Sequence, residues 1–117
     1  FFETDVSEVL TRNNKLAGVR LSDGKIIDCE ILVAAKGVSP NTGLIDGTSI
    51  LKDYGILTDA FMRTSNENIF AAGDVAQAFD IVLEKQAVNA LWTSAVQQGR
   101  IAGLNMVGQK TSYNGAI

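Results

Sequence analysis

Between residues 6 and 28, short runs of mixed apolar and polar residues are separated by polar turns, the pattern of a small antiparallel meander. Strands are expected at Val6–Arg12, at 16–21 and at 25–28, with turns at Asn13-Asn14-Lys15 and Ser22-Asp23-Gly24. The Asp-Gly pair favours the second turn, because glycine enters the left-handed backbone region freely. Glu30-Ile31-Leu32-Val33-Ala34-Ala35 differs in kind. Its apolar residues are continuous, which predicts a strand covered on both faces and paired in parallel. It runs into Lys36-Gly37-Val38-Ser39-Pro40-Asn41, where a glycine and the chain's single proline force a loop.

Residues 42–68 are rich in Gly, Asp and Ser, with short apolar islands, and read as loops, one short helix and one short strand. Ile69-Phe70-Ala71-Ala72 then predicts a second buried strand, ending at Gly73-Asp74, with a connector to about Asn89. From 91 to 106, Leu91, Ala95, Gly99, Ala102 and Met106 recur on one helical stripe. Gly99 and Gly103 inside that helix each cost about 1 kcal/mol relative to alanine, so a close approach to a sheet or a ligand is expected there. The tail, 109–117, has no periodicity.

Composition narrows the chemistry. The 117 residues suffice for one small hydrophobic core, too little for most self-contained cofactor enzymes. At 46% hydrophobic and 20% charged the chain is expected to fold. With 10 Lys+Arg against 13 Asp+Glu, a net charge of -3 and no basic cluster, nucleic acid is not an expected partner. One Cys and no His exclude a zinc site and an imidazole-assisted nucleophile within the chain, and no metal residue is assigned. Cys29 cannot form an internal disulfide, which fits a reducing, cytoplasmic location. The run from residue 31 to 35 is far shorter than the roughly 20 residues a membrane span takes, and no secretory signal opens the sequence. A first residue that is Phe rather than Met suggests a piece of something longer.

Two stretches carry a resemblance: Ile31-Leu-Val-Ala-Ala-Lys-Gly-Val-Ser-Pro-Asn-Thr42 and, more specifically, Arg63-Thr-Ser-Asn-Glu-Asn-Ile-Phe-Ala-Ala-Gly-Asp-Val75. Together with Tyr54-Gly-Ile-Leu-Thr-Asp59 and the helix that begins Leu91-Trp-Thr-Ser, they resemble the last third of flavoproteins of the pyridine nucleotide-disulfide oxidoreductase family. The tryptophan-bearing helix is most similar to members of the NADH oxidase, rubredoxin reductase and nitrite reductase type. The resemblance implies an α/β fold, a fragment of a flavoprotein with two dinucleotide-binding domains. Residues 1–36 would end the NAD(P)-binding domain, 37–117 would belong to the FAD-binding domain, and a dimerisation domain would begin near Tyr113.

By the same resemblance Asp74, after Gly73, would hold the ribityl chain of FAD. The backbone of Val75 and the helix start at Leu91, Trp92 and Thr93 would face the pyrimidine end of the isoalloxazine. A carboxylate at a strand's end suits a sugar-like hydroxyl, and the positive end of a helix suits the negative charge of reduced flavin. Alone, Gly-Asp is more often an ordinary turn. Trp92 reads as a packing residue shielding the flavin edge. Gly37, Pro40 and Asn41 read as loop punctuation, with Gly37 near the nicotinamide nucleotide. NAD(P)H would be the co-substrate and the electron acceptor is open.

Some signals mislead. Gly103-Leu-Asn-Met-Val-Gly108-Gln-Lys-Thr111 nearly spells a phosphate-binding loop, but a Gln separates Gly108 from Lys110 and a helix precedes it where that motif needs a strand. Cys29 has no Cys-x-x-Cys partner and reads as a small buried hydrophobe. No Gly-x-Gly-x-x-Gly fingerprint occurs among the 11 glycines, so only part of a flavin site is encoded and little catalysis is expected of the chain alone. The rest of the parent flavoprotein would be its main partner. The rival reading is a non-catalytic β/α interaction module that associates with itself through exposed strand edges.

Overall fold

A computed structural model describes residues 2–115, so Phe1 and the end of the aperiodic tail, 116 and 117, lie outside the described residues. The described chain divides into two compact units, 1–36 and 37–117. In the first, β1 (Val6–Arg12), β2 (Lys15–Leu21) and β3 (Ile26–Asp28) form an antiparallel sheet in the order β1-β2-β3. Asn13 and Asn14 both take positive φ, 53° and 60°, and join β1 to β2 in a two-residue loop. Asparagine tolerates this region, and such a loop matches the twist of a hairpin. The second turn closes on Gly24 at φ 86°, with the Lys25 N–H donating to Asp23 Oδ1 at 2.9 Å. β2 carries the buried side chains of this sheet, Val19 and Leu21.

The strand expected at residues 30–35 does not form. Ile31 is 81% and Val33 80% exposed, and no pairing is made over 30–35. A strand exists only through a neighbour's hydrogen bonds, and among the described residues no neighbouring strand reaches this run.

In the second unit, β4 (Ile56–Leu57) pairs in parallel with β5 (Ala76–Asp80), which pairs antiparallel with β6 (Lys85–Val88). One helix, α1 (Trp92–Met106), and two 3-10 turns, Gly43–Ile45 and Gly73–Val75, complete its regular structure among the described residues. The loops with a short helix and short strand expected at 42–68 are therefore present. The core gathers Ile45, Ile56, Met62, Ala76, Ile101 and Tyr113 with smaller alanines.

Three expectations are corrected here. Residues 69–72 form no strand beyond a single bridge from Phe70 to Arg63, because the neighbouring segment meets them only there, with the Thr64 N–H donating to the Ile69 carbonyl at 2.9 Å and the Ala71 N–H to the Met62 carbonyl at 3.1 Å. The connector expected to Asn89 is a hairpin, β5 and β6, whose turn at 81–84 is almost wholly apolar and carries no Gly, Pro or Asn to announce it. The buried face of α1 is Ser94, Gln98, Ile101 and Ala102, whereas Leu91, Gly99 and Met106 of the expected stripe are exposed. Polar Ser94 and Gln98 disguised that face.

Gly55 shows why a glycine precedes β4. A Cβ there would lie 2.7 Å from Val88 Cγ2 and 2.9 Å from the Val75 carbonyl oxygen, too close for any side chain. The Gly55 N–H donates to Gln77 Oε1 at 2.9 Å, and Gln77 Nε2 donates to Asp53 Oδ2 at 3.1 Å. Gln77 is buried with both halves of its amide used, as burial of a polar group requires.

Candidate functional site

The 3-10 turn Gly73–Val75 packs against α1. Gly73 has φ 79°, a conformation that glycine adopts without strain and other residues resist. A Cβ there would meet the Ala95 Cβ at 3.5 Å, an ordinary contact, so φ rather than space is what demands glycine. The Gly73 N–H donates to Gln98 Oε1 at 2.8 Å. Gln98 is 1% exposed, and its Nε2 donates to the Tyr113 hydroxyl at 3.3 Å. Tyr113 is itself buried, with its N–H donating to the Ala60 carbonyl at 2.7 Å. One buried amide thus ties the turn, the helix and the tail together.

Beyond that clip, Asp74 is exposed and its carboxylate accepts no hydrogen bond among the described residues. Val75 is half-buried against the core. Leu91 caps α1 in extended conformation with no side-chain bond to the first turn, and the first helical hydrogen bond runs from the Ala95 N–H to the Leu91 carbonyl at 2.9 Å. Amides of the opening turn therefore lack upstream acceptors and carry the positive end of the helix dipole. Trp92 is 84% exposed and Thr93 is exposed beside it. Trp92, Thr93, Val96, Gln97 and Arg100 line a shallow depression on the helix flank.

The structure brings Gly73, Asp74 and Val75 to the helix that Leu91, Trp92 and Thr93 begin. Gly37 is not tied to this group. It has φ 72° and open space where a Cβ would stand, the marks of a loop residue. Gln98 and Tyr113 were missed by sequence reasoning. The signal for Gln98 was its spacing from Ser94 and Ile101, hidden by its polarity.

A second cleft, lined by Phe61, Arg63, Glu67, Phe70, Met106 and Lys110 among others, lies at the far end of α1, about 20 Å along a 15-residue helix. Its two cationic side chains are already engaged. Arg63 pairs with Asp59 at 3.0 Å and lies 5.4 Å from the centre of the Phe61 ring, and Lys110 lies 5.2 Å from the same ring. No group of three or more metal-ligating side chains occurs among the described residues, and no helix there is long and apolar enough to cross a membrane.

The family model for pyridine nucleotide-disulphide oxidoreductases matches residues 1–99. The chain belongs to this family. Among relatives of the oxidoreductase family, the chain is 33% identical over 115 residues to the NADH-dependent phenylglyoxylate dehydrogenase subunit epsilon of Aromatoleum evansii, covering 95% of this chain and 27% of that protein. It is 36% identical over 94 residues to the NADH-rubredoxin oxidoreductase of Clostridium acetobutylicum, covering 80% and 23%. Among solved structures, an FAD-dependent pyridine nucleotide-disulphide oxidoreductase from Desulfovibrio vulgaris aligns with a TM-score of 0.79 and 32% identity, covering 97% of this chain and 29% of that one. The chain thus spans about a quarter of the length of the curated relatives it matches. Its α/β fold, an antiparallel meander, a mixed sheet and one long helix near the C-terminal end, is that of the family's FAD- and NAD-binding structures.

Proposed function

We propose that the chain is part of an FAD-dependent NAD(P)H oxidoreductase and supplies the ribityl and isoalloxazine side of its flavin site. The observation that carries this reading is the packing of the turn that bears the free Asp74 carboxylate against α1, a helix whose first turn is uncapped. The donor set fits the group. An exposed carboxylate accepts hydrogen bonds from a polyhydroxyl chain, and open amides at a helix start donate to ring oxygens that gain negative charge. When bound, FAD supplies the two-electron chemistry, taking hydride from NAD(P)H and passing electrons to an acceptor. On this reading Asp74 holds the ribityl hydroxyls, the Val75 backbone and the opening turn face the pyrimidine edge, and Trp92 covers that edge from water. Residues 1–36 end the nicotinamide-binding domain, with Gly37 at the junction to the FAD-binding domain.

The Gly-x-Gly-x-x-Gly turns that grip pyrophosphates are not encoded in this chain, so much of the binding free energy for FAD lies elsewhere. The chain alone is expected to purify colourless, to bind FAD weakly and to show no turnover. Adding a polypeptide that bears the missing N-terminal half should restore a flavin spectrum; failure to do so defeats the cofactor assignment. Asp74→Ala in the longer protein should lower flavin content and shift its reduction potential, and unchanged values of both would count against the role given to Asp74. A self-associating module is the second reading, favoured by the exposure of Ile31 and Val33.

A further inference from the structure

We propose that Gln98 is a positioning residue that fixes the Gly73–Val75 turn, and with it the Asp74 carboxylate, against the start of α1. That the fixed carboxylate serves flavin rests on the functional reading above; that Gln98 fixes the turn does not. A turn that opens on φ 79° has no regular ladder to hold it, and it carries an exposed side chain free of hydrogen bonds among the described residues. Its orientation then depends on a few anchors. The Gly73 N–H is one, and it ends on Gln98 Oε1 at 2.8 Å.

Gln98 suits the task because its rotamer is fixed from the other side. At 1% exposure it has no solvent to turn towards, and its Nε2 is spent on the Tyr113 hydroxyl at 3.3 Å. Which end of the amide is oxygen follows from this network: a backbone N–H can only donate, so the atom facing Gly73 accepts. Tyr113 is held in turn by its N–H to the Ala60 carbonyl. The anchor therefore runs from the tail, through a buried amide, to the residue before Asp74. Neither an apolar side chain nor a shorter amide reproduces it.

The test has two arms. In the 117-residue chain, amide exchange at Gly73 is followed by heteronuclear NMR in the wild type, Gln98→Leu, Gln98→Glu and Tyr113→Phe. Leucine removes the acceptor at similar volume, and exchange at Gly73 should quicken at least about tenfold, as expected for a lost hydrogen bond. Glutamic acid, which burial favours in its neutral form, keeps one acceptor and one donor and should stay near wild type. Tyr113→Phe frees only the far end of the amide and should give a smaller rise, which also decides the matter if Gln98→Leu does not fold. Unchanged exchange in Gln98→Leu, or in Tyr113→Phe where the leucine variant is unfolded, overturns the proposal, as does a Gln98→Glu chain that exchanges as fast as the leucine variant.

The second arm uses the longer flavoprotein. Gln98→Leu should shift the flavin's visible band and reduction potential at retained flavin content, with Gln98→Glu restoring both. A merely structural role would lower the melting temperature without this split. An unshifted potential beside a loosened Gly73 overturns the bearing of Gln98 on Asp74. A longer protein that carries no flavin in its wild-type form defeats the functional reading instead, while the exchange series still decides what Gln98 does.

Discussion

Asp80 shows how one side chain can set a local structure that the residues around it do not announce. Its Oδ1 accepts the Leu83 N–H at 2.7 Å and its Oδ2 accepts the Asn89 Nδ2 at 2.9 Å, so the carboxylate closes the apolar turn at 81–84 and ties the end of β5 to the chain entering α1. The Leu83 amide, then the Asn89 side chain, hold its pKa below the usual aspartate value against the opposing effect of burial. A carboxylate with a depressed folded pKa contributes stability that is fully present above its unfolded pKa and is lost as pH falls through the folded one. Asp80→Asn should therefore be less stable than wild type near neutrality, and the gap should close as pH falls through the usual aspartate range and below it. Urea unfolding midpoints across that range measure it. Parallel curves for the two proteins would contradict the assignment. Sequence reasoning treated this stretch as a connector because Ile81, Val82 and Leu83 resemble no turn, and the hydrogen bonds that make one come from a residue at its edge.

At the scale of elements, what was legible was what the local sequence controls. The meander followed from Asn13-Asn14 and Asp23-Gly24, whose backbone preferences act within a few residues. The Gly73–Val75 turn and the helix start were likewise legible as motifs, and the structure brings them together. The apolar runs at 30–35 and 69–72 were misread as formed strands, because an apolar run records what a segment could bury and a ladder needs a partner to bury it against. Helix α1 failed differently: its apolar stripe pointed one way, while hydrogen bonds of Gln98 and Asn105 turned another face inward. Asn105 alone bonds the Phe61, Ile101 and Thr111 carbonyls and the Thr111 N–H. The outward face leaves Gly99 and Gly103 with nothing within 4 Å of a built Cβ. In the 117-residue chain, Gly99→Ala and Gly103→Ala should each stabilise by about 1 kcal/mol, since alanine removes backbone entropy without a clash. Thermal or urea unfolding gives the sign. A loss of stability would mean that these glycines are closely approached after all.

For the whole molecule, large apolar side chains stand open in both units. Ile31 and Val33 in the first unit and Val82, Trp92 and Val107 in the second are large, apolar and exposed. Scattered apolar residues are normal on a surface, but Ile31 and Val33 differ from the rest. They lie on a continuous apolar run whose backbone is unpaired, which is the form a strand edge takes before it meets another chain. The 117-residue chain should accordingly self-associate in proportion to its concentration, with 30–35 as the contact. Ile31→Lys combined with Val33→Glu would place charges in the run without removing a core side chain. The dissociation constant should rise at least about tenfold, on roughly 25 cal/mol per Å2 for the apolar area no longer buried, while the unfolding midpoint of the dilute monomer stays unchanged. Sedimentation velocity over a hundredfold or so range of concentration reads both variant and wild type. A chain that is monomeric throughout would show that the open run is not adhesive. Association that survives the double substitution would move the contact to the second unit, where the exposed helix flank around Trp92 is the next surface to alter. In the longer flavoprotein proposed above, the same substitutions should act on folding yield instead, because there the run would be an internal strand.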